Sequence, residues 1–189
     1  MLSLAMPLAA IPITFVANLA GPFEEPPNAS PGTGFAQVTI DSAAHTMRVV
    51  VDFAGLTAGN TASHIHVING PGDSNFADTL GPVATTTPTF SGFPTGATSG
   101  SFDGTFDMTL ASSYRSGWIT DSGGTTALAE AALFSGITQG RAYLNIHTTN
   151  FPGGEIRGFL VEVPEPGTLG MLCLGMAGLL TGIARRARA

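Results

Sequence analysis

The stretch Tyr143-Leu144-Asn145-Ile146-His147 sets the reading of the chain, because apolar and polar residues alternate along it with a period of two. Alternation of that kind places successive side chains on opposite faces of a β-strand. Leu144 and Ile146 then face a core, and Asn145 and His147 face away from it. The same pattern governs His64-Ile65-His66-Val67, where Ile65 and Val67 turn inward and the two histidines share the other face. Working outward, further segments alternate or concentrate β-branched residues: Ile13 to Leu19, Phe35 to Ile40, Met47 to Phe53, Ser101 to Leu110 and Glu155 to Val163. Gly, Pro, Asn and Asp separate them at 28–34, 69–72, 92–100 and 151–154, which fits strand-to-strand loops better than helical crossovers. Only Thr125 to Phe134 (TTALAEAALF) has helix-forming composition, with Ser122 or Thr125 as candidate caps. The expected fold is therefore all-β, an antiparallel Greek-key-like sandwich or barrel with one short helix. The segment 81–104, rich in Thr, Ser, Gly and Pro, is expected as a long loop or irregular edge strand.

Charge and composition narrow the function. The 189 residues include no lysine, and three of the seven arginines (Arg185, Arg186, Arg188) fall in the last five positions. Residues 1–163 carry 12 acidic side chains against 4 arginines, and an acidic body repels phosphate backbones, so nucleic acid is excluded as a partner. The absence of lysine removes P-loop, Schiff-base and lysine-nucleophile chemistry. No serine lies in G-x-S-x-G, and Cys173, the only cysteine, falls in the apolar C-terminal stretch. Asp103 and Asp107 read as a solvated strand face rather than a glycosidase pair.

That C-terminal stretch, 167–184, runs for 18 uncharged residues, about 27 Å as a helix at ~1.5 Å per residue, and Arg185-Arg186-Ala187-Arg188 follows it. A basic cluster after a terminal apolar helix holds that end in the cytoplasm and leaves the body on the far side. Pro164-Glu165-Pro166 interrupts the chain just before it. This order resembles the PEP-CTERM sorting signal of Gram-negative bacteria, here over 164–189. The resemblance implies an exosortase-type processing partner, a membrane helix that anchors the inner-membrane intermediate transiently, and release to the cell surface or extracellular matrix. Residues 1–12 look like the remnant of a signal peptide lacking its positive n-region, and an upstream start is expected.

The candidate chemistry gathers on three histidines. If the strands holding His64, His66 and His147 are neighbours, three imidazoles converge, a set suited to a Cu or Zn ion with a coordination position left open. The same placement also fits histidines that hydrogen-bond Thr, Asn or carboxylate neighbours without an ion. Asn145 and Glu155 are the expected second shell, although Glu155 and Arg157, two apart on one strand, also suit a pairing with each other or with a neighbouring strand. His45 sits in an expected turn at 41–46 and stands outside the set. The loop 69–78, with Asp73, Asn75 and Asp78, offers oxygen ligands but lacks EF-hand spacing.

Phe23-Glu24-Glu25-Pro26-Pro27, Ser63-His64-Ile65-His66 and Tyr143-Leu144-Asn145-Ile146-His147-Thr148, running on through Phe151-Pro152-Gly153-Gly154-Glu155-Ile156-Arg157-Gly158, resemble the CHRD (chordin-type) domain over 13–163. In that family the first motif usually reads Glu-Val-Pro-Pro, and Glu25 stands here in place of the apolar residue. The resemblance implies a β architecture in an exported protein. Two functions follow as expectations. The first is a non-catalytic binding or structural module of the surface or matrix, with exopolysaccharide as a candidate partner. The alternative is a copper- or zinc-dependent metalloenzyme resembling Cu/Zn superoxide dismutase, by analogy of fold and H-x-H strand alone.

Overall fold

The computed structural model describes residues 11–74 and 79–164. Eight strands form one antiparallel sheet curled into a half-barrel: β1 Ile13–Ala20, β2 Thr33–Asp41, β3 Thr46–Ala54, β4 Asn60–Val67, β5 Gly100–Asp107, β6 Ala142–Thr148, β7 Ile156–Phe159 and β8 Val161–Glu162. Their order is β4-β6-β7-β1-β2-β3-β5, with β8 paired to β1. Of the two architectures expected, the sandwich of separately stacked sheets is replaced by this single curled sheet.

Alternation builds the core. Phe15, Ala17 and Leu19 of β1, Ala36, Val38 and Ile40 of β2, and Met47, Val49, Val51 and Phe53 of β3 are all buried on its inner face. Each large aliphatic contributes roughly 1.5–3 kcal/mol by leaving water. The β2–β3 turn is set by Asp41, whose Oδ1 accepts from the amides of Ala43 and Ala44 at 2.9 Å each. His45 completes it with φ +54°, and its Nδ1 meets the Glu130 carboxylate at 2.9 Å, well apart from the other histidines.

Two helices are present where one was expected: the short α1, Ser116–Asp121, and α2, Thr126–Thr138, which packs against β4 and β6. Thr125 is the working cap, its hydroxyl accepting from the amide of Leu128 at 3.2 Å. Trp118 of α1 is fully buried and donates its indole N–H to Ala129 of α2 at 3.0 Å. Gly136 lets α2 approach β4, since a Cβ there would collide with Val67.

Two expected strands are shorter than the sequence pattern suggests. The one expected to reach Leu110 stops at Asp107, whose carboxylate bonds the amide and hydroxyl of Thr109 and turns the chain. The one expected over 155–163 splits into β7 and β8 around the buried Leu160, whose amide reaches Ala142 at 3.0 Å. The stretch before β5 is irregular, as expected, but it is not idle. Its backbone bonds the free edge of β4, with the Ala84 amide donating to Ile65 and that of Phe90 to Ser63, and it buries Phe90 and Phe93. Among the described residues no helix is long and apolar enough to cross a membrane. The span expected at 167–184, Glu165, Pro166, the terminal arginines and the oxygen-bearing Asn75 and Asp78 lie outside the described residues.

Candidate functional site

β4 and β6 are hydrogen-bonded neighbours, with His64 directly opposite Asn145 and His66 directly opposite Tyr143. Their inner faces deliver Ile65, Val67, Leu144 and Ile146 to the core, each fully buried. The outer face therefore carries His64, His66 and His147 together. The ring centroids of His64 lie 4.7 Å from those of both His66 and His147. One ligand-capable nitrogen from each of the three falls within 4.8 Å of the others.

Each ring is held by a main-chain carbonyl. His64 Nδ1 meets Pro88 O at 3.0 Å, His66 Nδ1 meets Gly81 O at 2.6 Å, and His147 Nδ1 meets Pro152 O at 2.9 Å. A carbonyl only accepts, so each Nδ1 carries the proton and each Nε2 presents a lone pair. All three lone pairs are thus available to one centre. The Nε2 atoms of His64 and His147 stand 2.9 Å apart, and His66 Nε2 is buried without a partner. Two facing lone pairs and one buried orphan are costly unless a shared electrophile sits among them.

A proton is a poor candidate for that electrophile. Burial, with the neighbouring charges of His66 and His147, depresses His64 to about 3. Burial lowers His66 to about 4 against the opposing Gly81 carbonyl, and it lowers His147 as well. The trio is neutral at physiological pH. Three imidazoles with fixed tautomers and ligand nitrogens within 4.8 Å of one another could hold a metal ion.

Asn145 and Glu155 were expected around the histidines. Asn145 is buried beside His64, and its Oδ1 has no partner. Glu155 faces elsewhere. Glu155 lies just before β7, which begins at Ile156, and among the described residues it forms no ion pair with Arg157. Its carboxylate instead accepts from Ser30 Oγ (2.6 Å), Thr57 N (2.7 Å), Thr57 Oγ1 (3.1 Å) and Thr148 Oγ1 (2.5 Å). Burial pushes Glu155 up, but those hydrogen bonds together outweigh it and hold the group below the usual carboxylate range. Arg157 instead lies 3.8 Å from Glu24, donates its Nε–H to Phe23 O, and sits 4.8 Å from the centre of the Tyr143 ring. That ring stacks on His66 at 4.7 Å with a 6° tilt.

Glu24 was not singled out from the sequence as a site residue. It is 4% exposed, and burial raises it to about 7 despite the Arg157 charge. Its carboxyl lies where a Cβ on Gly154 would come within 2.5 Å of Oε1. The motif Glu-Glu-Pro-Pro marked the segment, but nothing in the sequence tied Glu24 to Arg157, a pairing made only by the fold.

With this geometry in hand, comparison with known proteins adds the family. A model of the CHRD domain matches residues 15–160, and a model of the PEP-CTERM protein-sorting motif matches residues 162–188. The chain belongs to the CHRD domain family. No curated protein and no solved structure matches it. The sorting motif implies processing by an exosortase and supports export and sorting to the cell surface of a Gram-negative bacterium.

Proposed function

We propose that the exported domain, residues 13–163, is a metal-binding module of the cell surface or extracellular matrix, holding one copper or zinc ion on the Nε2 atoms of His64, His66 and His147. The observation that carries this reading is the common use of all three Nδ1 atoms on carbonyls, which leaves three neutral lone pairs aimed at one point. The role is structural or adhesive rather than catalytic. The ion ties β4 to β6 and to the loops supplying the three carbonyls, and the acidic sheet surface meets the matrix, with exopolysaccharide as the partner class.

Delivery precedes that role. Pro164-Glu165-Pro166 is the recognition element for the exosortase, residues 167–184 anchor the precursor transiently in the inner membrane, and Arg185, Arg186 and Arg188 stay cytoplasmic. The alternative reading is a redox metalloenzyme. It draws on one observation, that three nitrogen ligands leave a fourth position open to substrate. A two-metal centre of the superoxide dismutase kind has less support, because among the described residues only this one group of three ligands occurs.

The test is metal analysis of the full chain purified in detergent from metal-replete cells. One equivalent of copper or zinc is expected, and its loss in a His64→Ala/His66→Ala variant and in His147→Gln, each checked for native far-UV circular dichroism. A folded wild-type protein that takes up no metal under these conditions overturns the proposal. Superoxide turnover above that of free copper would move the assignment to the enzyme.

A further inference from the structure

Imidazole accepts copper, zinc, iron and nickel, so the ligands alone leave the ion's identity open, and charge discriminates. Three neutral rings bring no negative charge, and among the described residues no carboxylate or thiol joins the group. The two arginines nearest the rings come in matched pairs, while the carboxylate of Glu155 is taken up by Ser30, Thr57 and Thr148 rather than by the rings. Arg157, beside the Tyr143 ring that stacks on His66, is 3.8 Å from Glu24. Arg115 donates to the carbonyl of Val83, the residue bridged to His66, and lies 3.6 Å from Asp121. Neither pair leaves a net anion to offset a bound ion. His64 is 7% exposed, and His66 and His147 are half-buried.

The cost of placing an ion in such surroundings rises with the square of its charge, so a dication costs about four times as much as a monocation before any ligand bond forms. A dication at three imidazoles recovers that cost by recruiting hydroxide or another anion at its open position. A monocation bound by three nitrogens has no such need. Nitrogens about 2.0–2.1 Å from one centre lie roughly 3.3–3.6 Å apart, so seating an ion requires the His64 and His147 Nε2 atoms to part from their 2.9 Å contact, within a trio whose ligand atoms all lie inside 4.8 Å.

We propose that the His64–His66–His147 trio selects monovalent copper, Cu(I), held in three-coordinate geometry, over divalent ions. The proposal rests on the metal-binding reading above and adds the oxidation state and the reason for it. No electron transfer is required of the protein, because the ion is taken up already reduced.

The experiment is an anaerobic competition on the full chain in detergent, with Cu(I) buffered by a chromophoric Cu(I) chelator and Zn(II) added in roughly hundredfold excess. The expected result is one equivalent of Cu(I) retained, silent in electron paramagnetic resonance, with about three nitrogen neighbours by X-ray absorption. The charge argument has its own test in Asn145→Asp, which sets a carboxylate directly opposite His64. It is expected to shift the Zn(II)-to-Cu(I) preference toward zinc by at least about tenfold. Wild-type protein that holds Zn(II) as tightly as Cu(I) overturns the selectivity and leaves the metal site standing. Protein that binds neither overturns both. A folded Asn145→Asp variant with unchanged preference overturns the electrostatic cause.

Discussion

Replacing Glu155 with glutamine isolates the clasp that joins the loop before β2, the loop after β3 and the end of β6. Four hydrogen bonds converge on this fully buried carboxylate, from Ser30, Thr148 and twice from Thr57. Bonds to a charged acceptor contribute about 1.5–3 kcal/mol each and neutral ones about 0.5–1.5, and the hydroxyls of Thr57 and Thr148 are free to rotate toward a new amide N–H. Glu155→Gln is therefore expected to cost about 2–3 kcal/mol, and Glu155→Ala, which strands the Thr57 amide, about 4 kcal/mol. In a domain of this size that corresponds to a fall in Tm of roughly 5–10 °C for the glutamine variant. Urea unfolding followed by the fluorescence of Trp118, the single tryptophan and fully buried, reads the difference. The pH dependence supplies an independent signature. The folded carboxyl is held below its ordinary 4.5, so its contribution is complete above that pH and is lost as pH falls through the folded value. The glutamine variant should lack that acid-side loss. A glutamine variant within about 0.5 kcal/mol of wild type, with the same acid slope, refutes the clasp. Loss of bound metal in the folded variant would return Glu155 to the histidine site.

Three further outcomes are expected. Metal-free protein should lose stability as pH falls from about 6.5 toward 4, because the unfolded histidines protonate while His64 and His66, depressed to about 3 and about 4, do not; the slope is up to ~1.4 kcal/mol per pH unit per histidine, and urea titrations of His64→Asn/His66→Gln should be flatter there. Gly154→Ala should destabilise by about 2 kcal/mol in thermal melts, because an alanine at φ +134° is strained and its methyl meets the Glu24 carboxyl; an unchanged Tm removes that contact from the account. Glu165→Ala should leave uncleaved precursor in the inner membrane, read by immunoblot of membrane and surface fractions, and normal surface release would dissociate sorting from that residue.

The sequence carried the strand faces and lost the long-range pairing. Period-two alternation around Ile65 and Leu144 was enough to put His64, His66 and His147 on outer faces, because core burial fixes register that strictly. Nothing local says that β4 and β6, whose histidines are 83 residues apart in the chain, are neighbours; that fact belongs to the topology. Alternation misled at Glu155, which lies just before β7 and turns its carboxylate to Ser30, Thr57 and Thr148. It also overran at Asp107 and Leu160, where a side-chain turn and a buried leucine end strands whose composition would have allowed them to continue. The partners of the ring nitrogens were invisible for a different reason, since Gly81, Pro88 and Pro152 act through main-chain oxygen, which every residue possesses.

Those carbonyls have a practical consequence for anyone mapping the site by mutagenesis. Alanine at Pro88 or Pro152 edits a side chain and leaves in place the oxygen that steers the imidazole, so those substitutions would pass over the centre in silence. Changes in the path of the chain, such as a one-residue deletion between Gly81 and Pro88, would swing two of the three rings at once.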